Sequence, residues 1–174
     1  MSSEVFFEDH WFQVIESADG HKALHAGVAF EPGDILVNFG IAAIRCEPTR
    51  YTIQCGVSEH WLVLPEFIQF INNSCDPNVI LHTRDMQVRA VRRIGPGDEI
   101  VYFYPSTEWS LAEPFRCRCQ SPQCLTRIAG AGHLPSDVLA PYYLSDHIAT
   151  LLAERGDAAI AGGSQTQRGV GPDR

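Results

Sequence analysis

The chain has 174 residues, 45% of them hydrophobic and 20% charged, with a formal net charge of −8 and a pI of about 5.3. Length and composition suit one folded domain with its own core, and no stretch approaches the roughly 20 apolar residues of a membrane helix. The acidity argues against a nucleic-acid backbone as partner, since phosphate binding wants clustered Lys and Arg; it is compatible with a basic peptide or protein.

The N-terminal MSSEVFFEDHWF lacks a basic start and a long apolar run, so no export signal is expected. The expectation is an intracellular, cytoplasmic protein, or a nuclear one in a eukaryote. Residues 11–17 (WFQVIES) and 21–30 (HKALHAGVAF) have β character, EPGD at 31–34 is a turn, and ILVNFG at 35–40 is an apolar strand. YTIQCGV at 51–57 and HWLVL at 60–64 bracket a polar turn. PEFIQFI at 65–71 can form a short helix, with apolar Phe67, Ile68, Phe70 and Ile71. MQVRAVRRI at 86–94 alternates as a half-buried strand does. GPGDE at 95–99 is a turn, and IVYFYP at 100–105 is an apolar strand after it. A helix of ordinary length is expected only at 145–156, SDHIATLLAERG, with Ser145 as N-cap, Asp146 in the first turn and Gly156 as the stop. The Gly-rich residues beyond about 156 read as a disordered tail.

Two stretches stand out chemically. FINNSCDPN at 70–78 runs from apolar residues into a cluster of hydrogen-bonding side chains with one thiol among them. CRCQSPQC places Cys117, Cys119 and Cys124 within eight residues, with Ser121 and Pro122 turning the chain. Without an export signal, metal binding or catalysis explains such cysteines better than disulfides. A structural zinc site takes four ligands in a tetrahedron, and its binding energy can fold a loop too short for a core. Three local thiols leave one vacancy, for which Cys46, Cys55, Cys75 and His133 are candidates.

Taken together, these stretches resemble one family. FINNSCDPN is similar to the Asn-His-Ser-Cys-x-Pro-Asn motif of SET-domain protein lysine methyltransferases, GPGDEIVYFY to their Gly-Glu-Glu-Leu-Thr-Tyr-Asp-Tyr segment, and CRCQSPQC to their post-SET zinc motif. HKALHAGVAFEPGDIL resembles the N-terminal Gly-x-Gly strand and turn. The resemblance implies a mostly β SET fold (a β-clip) with a knot-like active-site segment, a post-SET zinc loop and a short C-terminal helix. The boundaries it suggests are a SET domain over 1–112, a post-SET segment over 113–134, a helical segment over 135–156 and the tail over 157–174. It implies S-adenosylmethionine as cofactor, a structural zinc and a basic protein or peptide as substrate, with neither nucleic acid nor membrane engaged directly.

Carried over residue by residue, Cys75 completes the zinc site with Cys117, Cys119 and Cys124. Tyr104 is the catalytic tyrosine, and Tyr102 stands where phenylalanine or tyrosine influences the number of methyl groups added, which implies mono- or dimethylation. Asn72, Asn73, Phe115 and the backbone of Lys22, Ala23 and Leu24 would hold the cofactor, and Phe39 and Phe103 would line the lysine channel. The departures are specific: Asn73 replaces the histidine of the central motif, Phe103 the acid between the two tyrosines of the second, His21-Lys22-Ala23 the Gly-x-Gly, and Phe39 a frequent tyrosine. They leave a second reading, a catalytically silent SET-like module that binds a basic partner. His25, His60 and His82 are expected as satisfied histidines, Arg89, Arg92 and Arg93 as a solvated strand face, and Asp98 and Glu99 as turn residues. Asp76 and Asn78 are expected to hold the loop around Pro77 by side-chain-to-backbone bonds.

Overall fold

The computed structural model describes residues 4–156, so the expected tail lies outside the described residues. In chain order the strands are β1 (Glu4–Glu8), β2 (Phe12–Glu16), β3 (Lys22–Ala26), β4 (Ile35–Asn38), β5 (Gly40–Arg45), β6 (Ile53–Gln54) and β7 (His60–Leu64). They continue as β8 (Asn72–Asn73), β9 (Val79–His82), β10 (Gln87–Ala90), β11 (Val101–Tyr102), β12 (Phe115–Arg116) and β13 (Arg127–Ile128), and two helices follow, α1 (Ser136–Leu139) and α2 (Asp146–Glu154). Three antiparallel sheets, ordered β1-β2-β3, β4-β10-β9 and β5-β7-β6, surround a shared core.

Alternation in the sequence explains the inner strands. In β10, Val88 and Ala90 are buried while Gln87 and Arg89 are half-exposed, the pattern of a strand with one face on the core. In β2, Phe12 and Val14 do the same. Their apolar faces meet Leu24, Phe30, Leu36, Phe39, Ile68, Ile71, Val79, Leu81, Ile94 and Ile100. A structural difference from the sequence reading concerns β5. Its residues GIAAIR are mostly exposed, with no buried face to leave a periodic signal, and it forms by pairing with β7. The strand expected over 100–105 is cut to Val101–Tyr102. Pro105 has no N–H to donate to a ladder, and a 3-10 turn occupies Tyr104–Ser106. The short helix expected over 65–71 is a 3-10 turn at Glu66–Phe70.

A second, smaller core lies beyond the sheets. It gathers Cys75, Phe103, Cys117, Ile128, Ala131, Leu139, Ile148 and Leu152. α2 begins after Ser145 as expected, and Gly156 takes a left-handed φ of 89° after it. The Ser145 hydroxyl, however, donates to the Ser106 carbonyl (2.8 Å) and ties the helix to the segment after Tyr104 rather than capping it. The ring of His147 adds a 2.7 Å contact to the Thr107 carbonyl. Gly130 is required where this region crosses Trp109: its φ is 112°, and a Cβ there would sit 2.5 Å from the Trp109 carbonyl oxygen. Tyr104 packs against both cores.

Candidate active site

The site starts from an unusual pairing. β8 and β11 run parallel, with Val101 opposite Asn72 and Tyr102 opposite Asn73. Each strand is only two residues long, so side chains must hold them in register. Asn78 does much of this: its amide donates to the Glu99 carbonyl (2.8 Å) and its Oδ1 accepts from the Val101 N–H (2.8 Å). Nearby, the Ser74 hydroxyl accepts from the Asp76 N–H (3.0 Å), while the Asp76 carboxylate pairs with Arg92 at 2.9 Å instead of bonding the backbone.

Asn73, at the histidine position of the motif, bridges two parts of the site. Its Oδ1 accepts from the Tyr104 N–H (3.0 Å) and its amide points to Sγ of Cys117 (3.4 Å). Asn72 donates to the Lys22 carbonyl (3.1 Å) and to the Glu99 carboxylate (2.9 Å). Glu99 is therefore more than a turn residue, whereas Asp98 accepts from the Gly95 N–H (2.7 Å) as a turn residue does. The Tyr104 hydroxyl donates to the Ile71 carbonyl (3.1 Å), and its ring lies 4.8 Å from that of Tyr102. Burial, followed by the charge of Glu108, raises the pKa of both phenols, so both remain neutral hydroxyls at physiological pH.

A cavity of about 1500 Å³ opens over these groups. Lys22, Asn72, Asn73, Tyr102, Tyr104 and Phe115 all line it. Phe115 is at the rim, 36% exposed, and meets Tyr104 edge-on with ring centroids 5.9 Å apart. Four expected residues, Ala23, Leu24, Phe39 and Phe103, are buried away from the cavity lining. Phe39 is buried in the larger core, and its side chain does not line the cavity. Phe103 points the opposite way from its neighbours Tyr102 and Tyr104, because side chains alternate along an extended segment, and it stacks on Tyr142 at 3.8 Å in the second core. Both are core residues rather than channel walls. In the segment Lys22–Leu24 the side chains of Ala23 and Leu24 are buried. The Lys22 and Leu24 carbonyls accept from Asn72 and from the Ile100 N–H (2.7 Å), so these two oxygens are already engaged inside the protein.

The thiols of Cys75, Cys117, Cys119 and Cys124 converge, their sulfurs all within 4.8 Å of one another. A tetrahedral tetrathiolate zinc has sulfurs about 3.8 Å apart at a Zn–S distance of about 2.3 Å, so the cluster can hold zinc with a small contraction. Burial raises the pKa of Cys75 and of Cys117. At Cys119 burial works the same way but is outweighed by hydrogen bonds from Cys75, Ser121 and the neighbouring thiols, which bring it down to about 6. A divalent cation would resolve that conflict by binding all four as thiolates. Cys46 is exposed and Cys55 half-buried, and neither joins the group.

The sequence reading did not single out Glu108, Gln54 or Arg50, all near the tyrosines. Glu108 is 4% exposed and lines the cavity. Its Oε1 accepts from the Gln54 N–H (2.8 Å) and the Thr107 hydroxyl (3.1 Å), and Gln54 in turn accepts from the Trp109 N–H (2.8 Å). Burial pushes the Glu108 carboxyl up to about 7 against these two bonds. Arg50 also lines the cavity, and its charge works against that burial by lowering the Tyr104 pKa. Among the expected satisfied histidines, His25 contacts the Gly97 carbonyl (3.0 Å) and His82 pairs with Asp85, but the buried Nδ1 of His60 has no partner.

Comparison with known proteins agrees with this geometry. The SET domain family matches residues 6–105, and the chain belongs to that family. A protein of Aspergillus flavus named methyltransferase flvH is 33% identical over 144 residues, covering 81% of this chain and 80% of that protein. A SET and MYND domain-containing protein of Dictyostelium discoideum is 29% identical over 92 residues, 47% of this chain and 27% of that one. Among solved structures, KRYPTONITE in complex with mCHG DNA and SAH superposes with a TM-score of 0.52 at 22% identity, over 64% of this chain and 27% of that chain, which shows the fold. Family membership and the relative named a methyltransferase support methyltransferase activity for this chain. Among the described residues no helix is long and apolar enough to cross a membrane.

Proposed function

We propose that the protein transfers methyl groups from S-adenosylmethionine to the side-chain amine of a protein lysine, adding one or two. The observation that carries this reading is the cavity in which Tyr102 and Tyr104 meet the Asn72–Asn73 strand. The SAH in the KRYPTONITE complex supports S-adenosylmethionine as the donor. Lys22, Asn72, Asn73 and Phe115 would hold it, and bound there it would supply a methyl group on a positively charged sulfur. The chain's own part is positioning. Tyr104, fixed at both its N–H and its hydroxyl, holds one wall rigid, which in-line transfer demands. The rings of Tyr102 and Tyr104 exclude water and tolerate a cationic amine against their faces. The Tyr102 hydroxyl takes up space beside the amine, which favours low methylation over trimethylation. The four clustered cysteines would bind one structural zinc and keep Phe115 and Asn73 in place. The net charge of −8 favours a basic protein or peptide over a nucleic acid.

Titration calorimetry of the zinc-loaded protein with S-adenosylmethionine and with its demethylated product tests this reading. Saturable binding of both, weakened by Asn72→Ala, is expected. A folded, zinc-loaded protein that binds neither at millimolar concentration would instead be a silent SET module.

A further inference from the structure

Among the described residues, Glu108 is the charged group with the least explanation so far. Its Oε1 is fully engaged by Gln54 and Thr107. Its Oε2 receives no hydrogen bond from a described residue. Nor is Oε2 sealed away: among the described residues the one buried side-chain polar atom without a partner is Nδ1 of His60. Oε2 is therefore reachable, and the space Glu108 borders is the cavity beside Tyr102 and Tyr104. No described Lys, Arg or His lies within ion-pair distance of it. A buried carboxylate without a cation is costly, and a bound cation removes that cost.

We propose that Glu108 is the amine-recognising residue of this site: Oε2 receives the ammonium of the substrate amine by a charge-assisted hydrogen bond and takes one proton from it. The N–H bond breaks, an O–H bond forms on Oε2, and the nitrogen keeps its lone pair as a neutral nucleophile; nothing is oxidised or reduced. The inference rests on the methyl-transfer reading for what the freed amine does next, but recognition of the amine is separable from it. Three properties suit Glu108 to the task. Oε1 is clamped by a backbone N–H and a hydroxyl, so Oε2 is held in one place. The ionisable groups facing Glu108, namely Cys55, Tyr102 and Tyr104, are kept neutral by burial first and by its charge next, so none competes for the proton or pairs with the carboxylate. The burial that lifts Glu108 to about 7 also makes it a proton acceptor matched to neutral pH. The same chemistry would serve a protein lysine or a free small amine.

The test is equilibrium binding to the full zinc-loaded chain, with no methyl donor added, so that it stands whether or not the donor reading holds. The probes are n-butylamine, n-pentanol as an uncharged alcohol of similar length, and a lysine-containing peptide. Butylamine should bind the wild type with an affinity that falls as pH drops below about 7, where Glu108 is protonated, while pentanol shows no such profile. Glu108→Gln keeps an acceptor for Gln54 and Thr107 but cannot pair with an ammonium. It should weaken amine binding about 10-fold or more, erase the pH profile and leave zinc content unchanged. Peptide bound more tightly than butylamine indicates a protein lysine, and the reverse indicates a free amine; both uphold the role of Glu108. Undiminished amine binding by a folded Glu108→Gln protein would overturn it. Should that variant not fold, identical pH profiles for butylamine and pentanol on the wild type would overturn it instead.

Discussion

The two cores of this protein are built on different physics, and the candidate active site lies where they meet. The larger core is a set of aliphatic and aromatic side chains from three sheets, and apolar burial alone accounts for it. The smaller one is organised around four thiols and has only short elements of its own: two two-residue strands, a 3-10 turn at Ala131–His133, a four-residue helix and α2. Tyr104 packs on both, and Asn73 links it to Cys117. If the proposed reading holds, a wall shared in this way makes activity depend on the smaller core as well as on the larger one.

Removing metal should expose this contrast most sharply. Structural zinc contributes on the order of 10 kcal/mol to small metal-dependent folds. Chelation, or Cys117→Ser, should therefore abolish hydrogen-exchange protection across 115–154 while β2, β3, β9 and β10 keep theirs. Uniform protection after verified metal loss would mean that the second core stands on its own. Phe103→Ala should come next in size. Phe103 is 2% exposed and stacked on Tyr142, so its loss should cost about 3–5 kcal/mol in denaturant unfolding. A stable variant with altered substrate preference would restore Phe103 to the channel.

Glu108 gives a pH-dependent effect. Burial lifts its carboxyl to about 7, above the ordinary value of 4.5, so the folded state prefers the protonated acid. This group's contribution to stability is most favourable below about pH 4.5, is lost as pH rises towards 7, and is constant above that. Wild type should lose about 3 kcal/mol relative to Glu108→Gln across that window. A pH-independent difference between the two would mean that Glu108 is ionised at its ordinary value. The smallest effect expected is that of Tyr102→Phe. It should leave the fold intact and raise the share of higher methylation states, read by mass spectrometry of the product. An unchanged product distribution would remove Tyr102 from that role.

The sequence makes legible the elements whose residues carry a period or a motif. β2, β10, the turn at 95–99 and α2 follow from alternation, glycine placement and helix-end signals, and the spacing of CRCQSPQC points to three clustered thiols, with the fourth, Cys75, coming from the family resemblance. β5 escapes because its partner, not its own pattern, makes it a strand. Phe103 is misplaced because its position between two tyrosines hides that alternation sends it to the other side. Glu108 escapes for a different reason: what makes it special is burial against Gln54, 54 residues earlier, and no local pattern encodes that distance. Its signal in the sequence is only a lone acid between Thr107 and Trp109.

The measurement that tests the central claim most directly is product analysis after incubating the zinc-loaded protein with labelled S-adenosylmethionine and lysine-containing peptides, beside Tyr104→Phe. Labelled mono- and dimethyl-lysine from the wild type, with a rate about 100-fold lower for the variant, is the predicted result. Absence of labelled lysine despite bound cofactor, or an undiminished rate without the Tyr104 hydroxyl, would contradict the account.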